Sequence, residues 1–204
     1  TIHHVCPEES FKLKAVQKVE CVHVVADEWL NYVSNKMPGK KVLKAGLGVS
    51  AIEAITNRRV TSAVTEPFVL GMMGFYPGEY NRKRPDVAFS AFRLLKEKGL
   101  VFKVLLQGAG WENFSEILDA LEIDYTVNNY TSKRNSHVFW ERIDLFVCSS
   151  DVEGGPLPVL ESLAAGIPVV STKVGAAMEA LQDGGGILVD KGNVKQMADA
   201  LAKM

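Results

Sequence analysis

From Thr65 onward, short β-rich runs alternate with amphipathic helical stretches and turn residues, and this alternation constrains the fold more than any other feature of the chain. It is the pattern of a parallel sheet covered by helices on both faces, so the expected class is α/β. Six runs read as strands: Phe68 to Met73, Phe102 to Leu106, Asp124 to Val127, Leu145 to Cys148, Pro168 to Ser171 and Gly186 to Val189. Together they suit one open sheet. Between them, Pro85 to Lys98 places Val87, Phe89, Ala91, Phe92, Leu94 and Leu95 largely on one helical face, with Pro85 suited to the first turn and Gly99 to the stop. Trp111 to Leu121, Ser136 to Glu141, Pro158 to Ala165, Ala176 to Leu181 and Val194 to Leu201 read as the other helices.

The first sixty or so residues offer a strand at Cys21 to Ala26, a helix from Asp27 to about Asn35 and a strand at Lys41 to Ala45, too few elements for a closed core. They read as the tail of another domain. Residues 1–50 are assigned to that tail, 51–65 to a polar linker and 66–204 to the α/β domain. The chain begins without Met, which suits a processed or truncated piece. Hydrophobic residues make up 47%, charged residues 23% and the formal net charge is −1, an ordinary globular balance that makes nucleic acid an unexpected partner. Cys6, Cys21 and Cys148 are odd in number and lack CxxC spacing, which suits a reducing cytosol. No apolar stretch reaches the roughly 18 residues that span a bilayer, and no signal-type segment opens the chain.

Chemistry concentrates at Asp151-Val152-Glu153-Gly154-Gly155-Pro156-Leu157-Pro158-Val159-Leu160-Glu161, which follows a strand and opens a helix. Loops at the carboxyl ends of strands form the crevice of a doubly wound sheet, so Ser149 to Leu157 is expected to line it. Gly154 and Gly155 would let the backbone approach a ligand, while amides and a helix N-terminus favour an anion such as a diphosphate. Pro156 and Pro158 lack a donor, leaving Gly154, Gly155, Leu157 and Val159 to form the cradle. Seven residues separate Glu153 from Glu161, placing one carboxylate in the loop and the other about a turn into the helix. Each could accept hydrogen bonds from vicinal hydroxyls, one pair on a hexose and the other on a ribose. The plainer alternative is a polar loop residue and a solvated helix residue.

This run, with Ala165-Gly166-Ile167-Pro168-Val169-Val170-Ser171-Thr172, Gly175 and Glu179, resembles the Glu-x7-Glu region of GT-B-fold retaining glycosyltransferases of the GT4 type, the group 1 glycosyl transferases. The resemblance extends more loosely over Thr65 to Met204, the size of that family's C-terminal donor-binding domain, and Glu20 to Gly48 resembles the end of its N-terminal domain. It implies a Rossmann-like parallel sheet, the C-terminal half of a GT-B fold, plus a fragment of the N-terminal acceptor domain. It also implies a nucleoside-diphosphate sugar as donor, with Glu161 on the ribose, Glu153 near the transferred sugar and Glu179 near the same sugar. In the family, a Gly-Arg pair ends the first strand of this domain and a Lys precedes the next helix, together neutralising the departing diphosphate. Gly74 and Lys83 fit, but Phe75 stands where the arginine would be, so that role is either lost or passed to Arg82 or Arg84. Three adjacent cations at a helix start oppose its dipole, a local cost that an anion would offset; a solvated basic turn is the alternative.

Gly108-Ala109-Gly110 reads as a tight strand-to-helix turn that could approach the donor, and the resemblance implies that the loop around Tyr130 contacts the nucleobase. His3, His4 and Cys6 have no second cluster to complete a metal site. No Asp-x-Asp motif is present, so no metal and no cofactor beyond the donor substrate are expected. The expected function is that of a hexosyltransferase-type enzyme using a UDP-type donor and a carbohydrate or lipid acceptor, cytoplasmic, with a peripheral place at the inner membrane face in full length. With most of the N-terminal domain missing, the chain alone is expected to bind donor weakly and not to turn over. The competing reading is a non-catalytic nucleotide-sugar-binding or scaffolding module. An NAD-type domain is disfavoured because Gly74-Phe75-Tyr76 replaces GxGxxG.

Overall fold

A computed structural model describes residues 18–49, 67–76, 82–129 and 136–204. Two parallel sheets form. The small one pairs β1 (Cys21–Val24) with β2 (Lys41–Lys44), joined by α1 (Asp27–Lys36). The large one contains β3 (Phe68–Met73), β4 (Phe102–Gln107), β5 (Asp124–Asn128), β6 (Leu145–Cys148), β7 (Val169–Thr172) and β8 (Gly186–Val189). Its order is β5-β4-β3-β6-β7-β8, all parallel, which is the doubly wound order with its reversal between β3 and β6. The expected α/β class and six-stranded sheet are observed, with strand ends shifted by a residue or so. The assigned linker at 51–65 lies outside the described residues.

Both faces of this sheet are buried, so its central strands read as continuous apolar runs while successive residues still point to opposite sides. Val104, Leu106, Leu145 and Val147 join Phe89, Phe92, Trp111, Met197 and Leu201 in one core, whereas Leu105, Phe146 and Cys148 join Phe139, Trp140, Ile143 and Val159 in another. The first layer is supplied by α2 (Pro85–Glu97) and α7 (Val194–Lys203), which pack side by side. In the other, α4 (Ser136–Trp140) and α5 (Leu157–Ala164) contribute Phe139, Trp140 and Val159. The stretch expected as one helix from Trp111 to Leu121 is instead a 3-10 turn at Trp111–Phe114 followed by α3 (Ser115–Ala120). Trp111 explains the break: it is fully enclosed, its Nε1 donates to the Gln107 carbonyl at 3.0 Å, and it packs against Tyr76 and Phe114. The last short helix, α6 (Ala177–Ala180), follows β7.

The small sheet sits against the large one at the β6–α5 and β7–α6 loops. Val22, Val24, Ala26, Trp29 and Val33 bury a common surface with Ala176, and Val152 packs on it. Polar contacts fix the approach. Glu28 Oε2 accepts from the Gly175 amide at 2.8 Å, and Glu179 accepts from the Asp27 amide at 2.6 Å and from Lys44. Glu179 therefore receives the N-terminus of α1, where a carboxylate is favoured by the helix dipole.

Candidate functional site

The carboxyl ends of β3 and β6 flank the reversal point, where ligands of such sheets bind. Gly74 to Tyr76 leave β3 there, Ser149 to Pro156 leave β6, and the segment Arg82-Lys83-Arg84 runs between them into α2. Backbone and hydroxyl contacts tie the two loops together: the Asp151 amide donates to the Arg82 carbonyl at 2.8 Å and Ser149 Oγ to the Lys83 carbonyl at 2.8 Å. A shallow cleft, partly open to solvent, lies here between Met72, Met73, Tyr76, Lys83, Ser150 and Pro156.

Glu153 is the charged centre. It is only 6% exposed, yet its carboxylate is fully partnered, with Arg82 Nη1 at 2.5 Å, Lys83 Nζ at 2.8 Å and Ser150 Oγ at 3.0 Å. Burial by itself would raise its carboxyl; the charges of Lys83 and then Arg82, with their hydrogen bonds, more than offset this and hold it below the ordinary range. Arg82 also donates from Nη1 to the Val152 carbonyl at 3.1 Å. Lys83 reaches Glu153 by laying its stem across Gly74, where a Cβ would come within 2.7 Å of Lys83 Cδ. The absence of a side chain at Gly74 thus makes room for the cation.

Arg84 is directed elsewhere. Held at φ 49° just before α2, it binds Asp86 at 2.9 Å and Asp151 at 2.6 Å, and both contacts raise its already high pKa. The three neighbouring cations at this helix start are therefore each met by a carboxylate from the protein, which offsets the dipole cost seen in the sequence. Ser150 and Asp151 lie in the stretch expected to line the crevice, but their contacts with Glu153 and Arg84 were not foreseen, and Asp86 had no expected role. Asp86 lies two positions from Arg84, whereas Asp151 lies 67 positions away and is brought to it only by the fold.

The glycine turn differs from the open cradle expected of it. Gly154 and Pro156 are buried, and Gly155 is half-buried. A Cβ on Gly155 would meet Leu47 Cδ1 at 2.3 Å and Val25 Cγ2 at 3.1 Å, so the space before it is filled by the small-sheet segment. Behind it, Gly175 at φ 44° packs against the Glu153 and Gly154 carbonyls, and Trp29 Nε1 donates to the Glu153 carbonyl at 2.8 Å. The glycines serve close packing of chain on chain at this turn. What stays open is the rim, with Leu157 38% exposed at the first turn of α5 and Phe75 64% exposed beyond β3. Glu161 lies half-buried in α5, and burial raises its carboxyl above the ordinary range.

Gly108 likewise serves the backbone. At φ 121° it approaches Gly74 so closely that a Cβ would lie 2.0 Å from the Gly74 carbonyl oxygen. Glu179 lies against Lys44 and α1 rather than beside the Lys83–Glu153 pair. Tyr130, His3, His4 and Cys6 fall outside the described residues. Among the described residues no group of three or more His, Cys, Asp or Glu could hold a metal ion, and no helix is long and apolar enough to cross a membrane.

A doubly wound parallel sheet with paired charges at its reversal point is the architecture of GT-B-type glycosyltransferase domains. Solved structures share it at low identity. TarM superposes with TM-score 0.76 at 17% identity, over 100% of this chain and 42% of its own. A lipopolysaccharide outer core galactosyltransferase, WaaB, gives 0.73 at 15%, over 94% and 55%. The family model for glycosyl transferases group 1 matches residues 56–204, and the chain belongs to that family. It is 31% identical over 132 residues to the putative colanic acid biosynthesis glycosyltransferase WcaL of Escherichia coli K12, covering 59% of this chain and 32% of that protein. It is 42% identical over 67 residues to the lipopolysaccharide core biosynthesis mannosyltransferase LpsB of Rhizobium meliloti, covering 31% and 19%. The chain spans about a third of the length of several curated relatives it matches.

Proposed function

We propose that this chain carries the donor half of a retaining GT4-type hexosyltransferase, binding a nucleoside-diphosphate sugar at the β3–β6 reversal point. The observation that carries this reading is the Arg82–Lys83 pair converging on a buried carboxylate at the mouth of that crevice. In this reading the two cations receive the diphosphate. At the first turn of α5, Pro158 has no amide and the Val159 amide donates to the Pro156 carbonyl at 2.8 Å, which leaves the Leu157 amide as the backbone donor for the diphosphate. Glu161 accepts from the ribose and Glu153 from the sugar. Arg82 takes the part left open by Phe75, because it already reaches the same carboxylate as Lys83.

During transfer the bond from the anomeric carbon to the diphosphate oxygen breaks, and a bond to the acceptor oxygen forms on the same face of the sugar. The acceptor's proton leaves with the nucleoside diphosphate. Preorganised cations at the departing oxygens are worth several kcal/mol in such steps, and they take the charge without a metal. UDP is the favoured nucleotide, because the solved HepE structure from Anabaena, which shares the fold at TM-score 0.71, was determined with UDP and glucose. Envelope-polysaccharide relatives favour a carbohydrate or lipid-linked acceptor, used at the cytoplasmic membrane face.

Calorimetric titration of the chain with UDP, GDP and ADP tests the reading. Weak binding of one nucleotide, reduced at least ten-fold by Glu161→Ala, is expected. Absence of binding to all three would favour a scaffolding module of the same fold.

A further inference from the structure

Glu153 occupies the two cations that a diphosphate would need. Its carboxylate oxygens are shared out between them, Oε2 to Arg82 at 2.5 Å and Oε1 to Lys83 at 2.8 Å. Arg82 and Lys83 can be a diphosphate site only when this arrangement opens. The carboxylate, 6% exposed in the closed arrangement, would then lose both cations and keep the Ser150 hydroxyl at 3.0 Å. A buried charge that loses its partners is costly, and the cost is relieved by any new hydrogen-bond donor placed against it.

We propose, on the donor-site reading above, that Glu153 is a built-in competitor for the diphosphate. It makes the site favour nucleoside-diphosphate sugars over the bare nucleoside diphosphate. A donor brings both halves of the exchange: its diphosphate takes Arg82 and Lys83, and its sugar hydroxyls take over the released carboxylate. The nucleoside diphosphate left after transfer brings only the first half. Glu153 then returns to the cations and displaces it, so the same side chain that receives the sugar also drives product release. Nothing in the β6–α5 loop needs to move far, since the Glu153 backbone is held by Trp29 and by packing against Gly175.

The test compares wild type with Glu153→Gln, which keeps the shape and removes the charge, using calorimetry with inorganic pyrophosphate and with UDP, GDP and ADP. The expected result is pyrophosphate and nucleotide binding at least ten-fold tighter in E153Q. Glu97→Gln, an equal charge change at the far end of α2, is expected to leave affinity unchanged; an equal gain there would reduce the effect to bulk charge and overturn the proposal. Unchanged or weaker binding by E153Q overturns it too. If wild type still binds a nucleotide in a Glu161-dependent way, the donor-site reading survives that failure. If neither protein binds any of the four anions, both fall together. Should E153Q lose its cooperative melt, Glu153→Asp carries the test, since withdrawing the charge by one methylene is expected to tighten pyrophosphate at least three-fold. Unchanged binding by a folded E153D overturns the proposal.

Discussion

At the scale of single residues, the two glutamates titrate in opposite senses. Glu153 is held below the ordinary carboxylate range, so it adds stability above its unfolded value, roughly pH 4.3, and that stability disappears as acid protonates the folded group. Glu161 is raised by burial, so the folded chain keeps a proton that the unfolded chain has lost, and stability declines as pH rises through that window. Urea denaturation at about pH 7 and about pH 4 should therefore separate them. Glu153→Gln is expected to cost about 2 kcal/mol near neutrality, by stripping a partner from buried and half-buried charges, and less in acid. Glu161→Gln should stabilise near neutrality by about half a kcal/mol, since solvent screens a half-buried group, with no gain in acid. An acid-independent loss in E153Q would contradict the pairing. The seven-residue spacing and the cations beside Pro85 were readable from the sequence alone. That Glu153 itself would be their counterion was not, because the contact joins residues 70 positions apart.

At the scale of elements, the strand ends around the reversal point depend on two glycines with different reasons for being so. A methyl at Gly74 would press on Lys83 Cδ, a flexible stem that can swing aside. A methyl at Gly108 would strike the Gly74 carbonyl at 2.0 Å, in a backbone conformation that L-residues avoid. Gly74→Ala, which also crowds the buried Tyr76 ring at 3.1 Å and draws Lys83 away from Glu153, is expected to cost about 1–2 kcal/mol while weakening nucleotide binding several-fold. Gly108→Ala is expected to cost about 3 kcal/mol or more. Thermal melts with parallel titrations would reveal the split, and equal stability losses would count against it. Element type was legible because strands covered on both faces read as short continuous apolar runs bounded by turns, while the longer stretches keep a helical period. The division of Trp111 to Leu121 was not, since a helical pattern does not announce that Trp111 must turn back to the Gln107 carbonyl.

For the whole molecule, the junction between the two sheets is an apolar patch fastened at its edge by acids. Glu179 meets Lys44 and the Asp27 amide, and Glu28 meets the Gly175 amide and Lys191 at 3.5 Å. Glu179→Gln is expected to destabilise by about 1 kcal/mol and to speed amide exchange in β1, α1 and β2 while leaving β3 to β8 protected. Uniform acceleration would instead mean that the sheets open together. The sequence showed Glu179 on a short helix but not this use of it, because nothing local couples it to residues 152 positions earlier. The same junction brings the indole of Trp29 onto the carbonyl of Glu153, while the other two tryptophans lie in the cores on either side of the large sheet. The protein thereby carries its own optical probe: Trp111 and Trp140 supply a steady background, and the emission of Trp29 reports on the turn next to it. Separation of the small sheet from the large one is expected to shift the Trp29 emission, so that step can be followed with no label and no coupled assay.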